Sequence, residues 1–475
     1  MSVTYSHPIK ELLKEIDVSE YDYEKAIKRY ESISAFVEDS MLNQFNPYIF
    51  IQGSFKLGTA IKPIIDNGSY DIDMVMNLRS LSKRDLSQND LKLIVGKVVK
   101  DYTSANGMTN APKSGKRCWT IEYVDQHNFH VDILPTINDS LLDDHKLAFT
   151  NRNNPNYNDV SDFWDITNPK GYYEWFIKNS NYSLFEKRYA RDFNMQVENV
   201  PYYKVKTDLQ RIVQILKRHA EVMFEDNKYK PSSIIITTLC TKAYSKIDVT
   251  EIRFENLLKI IVSGLFDELD YKNNRYCVLN PVALEEDLSY KWENPKYFEA
   301  FQKWINQLKF DMSVDYSSRK STAEINLLKR SLFKSKNETE LQNNIDLLPY
   351  HQKMQWNNRI WKDDVKIRAF ICNDDNQKIC EIKSDEPLEK GLNLRFEVNS
   401  NNINLYNIFW QITNTGYEAN KANQLRGDFY NTETESRKWN ENTLYSGRHY
   451  VEAFLVKKDG HDCVGRSAPF VVNVI

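Results

Sequence analysis

No apolar run in this 475-residue chain approaches the roughly 18 positions that a bilayer span requires. Cysteine is sparse: Cys118, Cys240, Cys277, Cys372, Cys380 and Cys463 are scattered, with no CxxC pair. In a chain of this size that reads as reduced, buried thiols in a cytosolic protein, and it argues against a cysteine-built zinc site. Glycine and proline number only 14 each, which excludes collagen-like or linker-like character. Neither sign of charge prevails. Lys plus Arg is 63 against 66 for Asp plus Glu, a net charge of −3. That balance excludes a uniformly basic coat for nucleic acid and leaves a local basic groove open. The N-terminal MSVTYSHPIKELLKEIDV mixes acids and bases and has no signal-peptide apolar core. A cytoplasmic location and no membrane partner are therefore expected.

What is abundant is aromatic: 28 Tyr and 23 Phe. Apolar residues make up 41% and charged residues 27%, values of a globular protein rather than a disordered one. The length calls for two or three domains. Residues 8–45 carry apolar positions at helical spacing (Ile9, Leu12, Leu13, Ile16, then Tyr23, Ala26, Ile27, Tyr30, Ile33, Phe36), which predicts two helices, the second long. The period then changes. Tyr48–Gln52 is a short β-type run, Tyr70–Leu78 alternates polar with apolar residues, and 117–124 and 128–134 read as two further strands, the second ended by Pro135. From about 200 the helical period returns, with Val205, Leu209, Ile212, Leu216, Ala220 and Met223 in one stripe. Helices are also predicted over 232–245, 251–269, 295–309 and 321–332. The polar, Asn-rich stretch after 334 predicts a linker. Beyond it, VKIRAFIC, LNLRFEVN, LYNIFWQIT, HYVEAFLVKK and PFVVNVI alternate, as strands of a sandwich would. The expected division is 1–180, 181–334, a linker at 335–355, and 356–475.

One constellation carries chemistry. Gly53-Ser54 follows a strand, Asp71-Ile-Asp73 sits on the next, and Asp132 sits on a later one within His130-Val-Asp132-Ile-Leu-Pro135. Side chains two apart on a strand share a face, so Asp71 and Asp73 point the same way. If the Asp132 strand lies alongside, three carboxylates converge. Such a cluster repels itself unless cations neutralise it, and hard oxygen donors suit Mg²⁺. Two Mg²⁺ ions, with Mn²⁺ able to substitute, can serve both the attacking and the leaving oxygen of a nucleotidyl transfer. The Gly53-Ser54 turn offers backbone N–H groups and a hydroxyl to a triphosphate. A lone DxD or a lone GS means little on a wet strand; the ordered combination is far more specific.

Taken together, Gly53-Ser54, Thr59, Asp71-Ile-Asp73 and His130-Val-Asp132-Ile-Leu-Pro135 resemble the bacterial cGAS/DncV-like nucleotidyltransferases, also called CD-NTases or SMODS proteins. Ser54 and Asp71 stand 17 positions apart, a longer gap than the generic superfamily pattern has, and one that resembles the bacterial cyclase branch. The resemblance covers roughly residues 8–330. It implies an α+β protein with a Polβ-like palm plus a helical lobe, with Asp71, Asp73 and Asp132 as metal ligands and Ser54 at the donor phosphates. The segments Leu216-Lys217-Arg218-His219 and Lys230-Pro231-Ser232-Ser233 also resemble the family, whose helical lobe brings a Lys and a helix-opening Ser to the donor triphosphate; Lys217 and Ser233 match those positions. A solvated charge at Lys217 and a simple N-cap at Ser232 or Ser233 are the plainer readings.

From about 356 onward, Trp410–Ala419, Leu425–Tyr430, Thr443–Glu452 and Arg466–Phe470 resemble the adenylyl/guanylyl-cyclase and SMODS C-terminal sensor domain. That name fixes no ligand. Arg426, Arg448 and Arg466 offer forks to phosphate or carboxylate, or pair internally with acids such as Glu418 and Glu452; both readings stand. Lys56, Lys62, Lys113, Lys116 and Arg117 lie near the palm strands and serve phosphate, an activating nucleic acid, or simply solvent.

The expected activity is condensation of nucleoside triphosphates (ATP, GTP or others) into a cyclic di- or trinucleotide with release of pyrophosphate. Asp71 and Asp73 would hold both metals, and Asp132 the one that activates the acceptor hydroxyl. The resemblance further implies anti-phage signalling through a product-responsive effector protein, with an activating RNA or other ligand left open. Other nucleotidyl transfer, such as RNA tailing or protein AMPylation, keeps the same triad. A catalytically idle nucleic-acid-binding regulator has no need of one.

Overall fold

The computed structural model describes residues 7–64, 68–124, 128–140, 143–183, 185–187, 204–224, 228–249, 252–312, 350–358, 365–399, 405–431 and 437–475. By packing these fall into two units: the residues through Lys217 together with Ser232–Glu293, and Arg218–Pro231 together with Asn294–Ile475. The helix expected over 321–332 and the linker expected over 335–355, up to residue 349, lie outside the described residues.

In the first unit, helices α1 (His7–Ile16) and α2 (Glu20–Glu38) bear out the periodicity, and Ser19 caps α2 by accepting from the Asp22 N–H. The palm sheet follows. β1 (Pro47–Gln52) pairs antiparallel with β2 (Ser69–Leu78), which pairs parallel with β5 (Asn128–Ser140). β4 (Trp119–Tyr123) lies antiparallel on the far side of β5, with the two-residue β3 (Lys113–Ser114) outside it. Beyond β4's reach the same flank of β5 is taken by β6 (Asp143–Phe149), which pairs with β7 (Asp165–Thr167).

Pro135 does not end β5, contrary to expectation. β4's last partner on that flank is Ile133 and β6's first is Thr136. The proline falls in the changeover, where that flank requires no ladder donor.

One face of the sheet is apolar. Ile72, Met74, Phe129, Val131, Ile133 and Ile121 pack against α2 and against α4 (Gln88–Ala105), which contributes Leu91, Val95, Val98, Val99 and Tyr102. Strand alternation then turns the intervening polar residues to the other face. α4 was not anticipated. Its start carries a capping box in which Ser87 and Asp90 bond reciprocally to each other's backbone. Further helices are the short α3 (Gly53–Lys56), α5 (Pro169–Asn179), α6 (Asp208–Phe224), α7 (Ser233–Tyr244) and α8 (Phe254–Gly264). α6 gives its residues through Lys217 to this unit and the remainder to the other. Two small hairpins follow α8: β8 (Asp270–Lys272) with β9 (Arg275–Cys277), and β10 (Leu279–Asn280) with β11 (Ala283–Asp287).

The second unit contains α9 (Pro295–Asp311) and a β-rich module interrupted by a short helical turn at Tyr417–Lys421. One sheet runs β12 (Asn357–Asn358), β21 (Asp462–Arg466), β20 (Gly447–Lys457), β17 (Tyr406–Thr413), β18 (Gly427–Asn431), with β22 (Phe470–Val474) on β20 and β15 (Pro387–Leu388) on β22. The other runs β14 (Lys378–Ile382), β13 (Lys366–Cys372), β16 (Asn393–Asn399), β19 (Lys438–Asn442). Ala369, Leu394 and Phe396 of one sheet meet Trp410, Ile412, Ala453 and Val472 of the other in a shared core, the packing of a sandwich.

The arginines of this module pair internally. Arg426 bonds Glu441 at 2.7 Å, Arg448 meets Asp385 at 3.0 Å, and Arg466 meets Glu452 at 2.9 Å. All six cysteines are free thiols, and no described helix is long and apolar enough to cross a membrane.

Candidate active site

Register assembles the carboxylates. On the polar face of the sheet, Asp73 of β2 is the Cα partner of Asp132 of β5, which is in turn the partner of Thr120 of β4. Two residues back, Asp71, His130 and Glu122 form a second row across the same strands. The expected triad therefore lies on one face of two adjacent parallel strands. Thr120, which sequence reasoning did not single out, donates its hydroxyl to Asp132 Oδ1. Its position two before Glu122 in the alternating Trp119–Tyr123 run was the available signal.

The electrostatics are those of crowded like charges. Burial pushes the Asp73 carboxyl up to about 7, with Asp71 and then Asp132 adding repulsion and Lys217 opposing them. Asp132 is also raised, chiefly by burial; the Thr120 hydrogen bond and His130 oppose this, while Asp71 adds to it. His130 is held above the usual imidazole range by its hydrogen bond to Asp71, against the effect of burial. Its Nδ1 lies 3.5 Å from Asp71 Oδ1 and its Nε2 4.0 Å from Glu122 Oε1.

Gly53 and Ser54 stand beside this cluster because Gln52, the last residue of β1, is the partner of Asp73. Gly53 has φ +67°, and a Cβ placed there would come 2.0 Å from Asp73 Oδ2. The position requires glycine on both counts. Ser54, half-buried, opens the first turn after the strand, and its carbonyl accepts from the N–H groups of Thr59 and Ala60.

Lys217, buried on α6, donates to the Thr59 carbonyl at 3.2 Å and hydroxyl at 3.3 Å, and its charge reaches Asp73. Ser233 is the first residue of α7, with an exposed side chain; among the described residues no hydrogen bond or charge interaction links it to the carboxylates. The N-cap is Ser232, whose side chain makes no capping bond.

The neighbouring basic residues are engaged locally. Lys113 pairs with Glu122, Lys56 lies over the Tyr173 ring at 4.5 Å, and Arg117 lies between Phe149 and Tyr290 at 4.9 and 4.5 Å. Tyr123 packs in place: its hydroxyl bonds that of Tyr102 at 2.9 Å and its ring supports Arg29.

Among the described residues no three His, Cys, Asp or Glu side chains are gathered as a finished metal cage. Asp71 is 72% exposed and turned toward His130. The donor chemistry nevertheless fits a divalent cation. The donors are hard oxygens on one sheet face, and the upward push on Asp73 from burial and its neighbours is what a bound cation would oppose.

A family model described as the nucleotidyltransferase domain of cyclic GMP-AMP synthase DncV-like proteins matches residues 47–135, the segment that holds both rows. A second, described as the adenylyl/guanylyl and SMODS C-terminal sensor domain, matches 346–475. A c-di-GMP synthase of Roseivirga ehrenbergii is 27% identical over 286 residues, covering 59% of this chain and 71% of that protein. A cytidylate cyclase of Staphylococcus aureus is 26% identical over 206 residues, covering 42% of this chain and 46% of that protein. The structure of the Bradyrhizobium diazoefficiens CD-NTase CdnG in complex with GTP has a TM-score of 0.50 at 16% identity, over 68% of this chain and 97% of that one. At that identity the likeness speaks for the fold, a nucleotidyltransferase palm with a helical lobe. The palm strands and the C-terminal sandwich are thus each matched by their own model, and together with the c-di-GMP synthase relative they support a nucleotidyltransferase similar to the DncV-like CD-NTases, or SMODS proteins, with a sensor-type domain at its C-terminal end.

Proposed function

We propose that this enzyme joins nucleoside triphosphates (ATP, GTP or others) into a cyclic di- or trinucleotide second messenger. The observation that carries the reading is the register of Asp73 with Asp132, beside a Gly53-Ser54 turn that leaves no room for a side chain. Nothing in folding rewards burying repelling acids against one another. The relatives named c-di-GMP synthase and cytidylate cyclase support a cyclic product.

In this reading Asp71, Asp73 and Asp132 would hold Mg²⁺, with Mn²⁺ able to substitute, which supplies neutralisation of phosphate charge and acidifies the attacking hydroxyl. The Gly53-Ser54 turn seats the donor triphosphate, with Lys217 and Ser233 as further phosphate contacts. The acceptor's ribose hydroxyl attacks the donor α-phosphorus and gives up its proton; the bond to the β-phosphate oxygen breaks and pyrophosphate leaves. A second attack, by the other ribose hydroxyl of the linear intermediate on its remaining α-phosphorus, breaks the bond to the β-phosphate oxygen, releases a second pyrophosphate and closes the ring. Catalysis then rests on positioning and charge compensation rather than on a covalent enzyme intermediate. The product serves an effector in cytoplasmic anti-phage signalling, and an activating RNA or other ligand acts upstream.

A second reading, closure within one nucleotide, is favoured by the Staphylococcus aureus relative named a cytidylate cyclase. Incubation with all four ribonucleoside triphosphates and Mg²⁺ or Mn²⁺, followed by mass spectrometry, separates the two. A phosphatase-resistant cyclic oligonucleotide is expected. A cyclic mononucleotide supports the second reading, and a nucleotide mass added only to RNA or protein supplied in the incubation overturns both.

A further inference from the structure

The loop that follows the Gly53-Ser54 turn is held in an unusual way. Its four consecutive carbonyls each accept a hydrogen bond from a side chain on α6 or just ahead of it. Gln210 Nε2 donates to Leu57 O at 2.8 Å, Lys206 Nζ to Gly58 O at 2.8 Å, Lys217 Nζ to Thr59 O at 3.2 Å, and Gln214 Nε2 to Ala60 O at 2.8 Å. Positions 210, 214 and 217 recur at helical spacing and so share one face of α6. Lys206 stands four residues earlier on the approach to the helix.

Gln210 and Gln214 are almost fully buried, and each is fixed from behind. Gln210 exchanges bonds with Thr207, its Oε1 accepting from the Thr207 N–H while its own N–H donates to Thr207 Oγ1. Gln214 Oε1 accepts from Arg211, which pairs with Asp17. Gly58, at φ +66°, allows the close approach; a Cβ there would lie 2.5 Å from Gln210 Nε2.

With its carbonyls turned to α6, the loop sends the N–H groups of Thr59 and Ala60 to the Ser54 carbonyl. The Ser54 that β1 places beside Asp73 is thus braced by α6 through the loop. We propose that Gln210 and Gln214, with Lys206, are positioning residues for the donor triphosphate, holding the Gly53-Ser54 turn in the geometry that receives phosphate without touching the nucleotide. This rests on the proposed function. It predicts a defect in triphosphate capture rather than in the chemical step, because the carboxylate rows are built on other strands.

The test uses the full chain with Gln214→Met and Gln210→Met, near-isosteric changes that remove the amide donor to the loop carbonyl together with the amide oxygen that accepts from Arg211 or Thr207. Three quantities are read: KM and kcat for triphosphate, binding of a non-hydrolysable triphosphate by calorimetry, and amide exchange in a peptide spanning 53–62. The expected result is faster exchange confined to that peptide and roughly ten-fold weaker triphosphate binding and higher KM, the range a lost buried hydrogen bond spans, with kcat changed less than about three-fold. Unchanged KM and binding alongside faster exchange would overturn the positioning role, as would unchanged exchange. Should neither variant fold, Lys206→Met tests the same device from its other end. A wild-type chain that binds no triphosphate while its 53–62 peptide still loosens in the variants sinks the proposed function instead, and the positioning role with it.

Discussion

Asp73 and Asp132 face each other as Cα partners on parallel strands, and Asp132, after burial and Asp71, helps hold the Asp73 carboxyl up at about 7. A group raised in this way weakens the fold. The unfolded chain releases the proton near the ordinary carboxylate value, while the folded chain keeps it until about 7, so stability declines as pH rises through that interval. Asp73→Asn removes the penalty. The variant is expected to melt higher than the parent without divalent cations, by about 1–3 kcal/mol at pH 8 and by less at pH 5. Added Mg²⁺ should close the gap by stabilising the parent alone, while nucleotidyl transfer falls on the order of a thousand-fold, about 4 kcal/mol of barrier. Thermal scans at both pH values with and without Mg²⁺, beside product yield, check it. A variant no more stable than the parent at pH 8 would remove the argument from crowded carboxylates.

Gly53 is where backbone and site are inseparable. Gly53→Ala would have to hold a left-handed φ of +67° and place a methyl 2.0 Å from an Asp73 oxygen, so either the turn or the carboxylate must move. A non-glycine residue in that region costs about 1–3 kcal/mol. The variant should therefore fold with modestly lower stability and lose at least about 100-fold in activity, because an ångström of misplacement suffices for that. Retention of full kcat/KM would mean that the turn plays no part in seating substrate.

Much of the palm was legible because its signals are local. The alternation in Tyr70–Leu78 is a two-residue period that needs no tertiary knowledge, and it put Asp71 and Asp73 on one face. What was not legible depends on partners distant in sequence. Pro135 reads as a strand end until the changeover from β4 to β6 is known. Gln210 and Gln214 lie outside the apolar stripe that the sequence shows, yet they are buried, since their acceptors are loop carbonyls some 150 positions earlier. The arginines of the sandwich left two readings open until Glu441, Asp385 and Glu452 were found against them. α4 is a different case. Its Ser87–Asp90 box and its stripe of Leu91, Val95, Val98 and Tyr102 were present in the sequence and sufficed to place it.

His449 gives the C-terminal sandwich an acid sensitivity of definite sign. Its Nε2–H donates to the Tyr445 carbonyl at 2.7 Å, and its Nδ1 accepts from the Thr415 N–H at 3.1 Å. A proton on Nδ1 would therefore meet a donor, and burial first, with Arg426 adding, pushes the imidazole down to about 4. The unfolded chain takes up that proton near 6.5. The contribution is thus complete above about 6.5 and is lost progressively as pH falls toward 4, amounting to about 2 kcal/mol by pH 5. His449→Gln cannot protonate. It should be less stable than the parent at pH 7.5, where the imidazole's two hydrogen bonds count, and the difference should shrink or reverse at pH 5. Thermal unfolding of both chains across that range, with a probe reporting the β-rich module, decides the matter. A gap that stays constant with pH would show that His449 carries the same charge in the folded and unfolded chains.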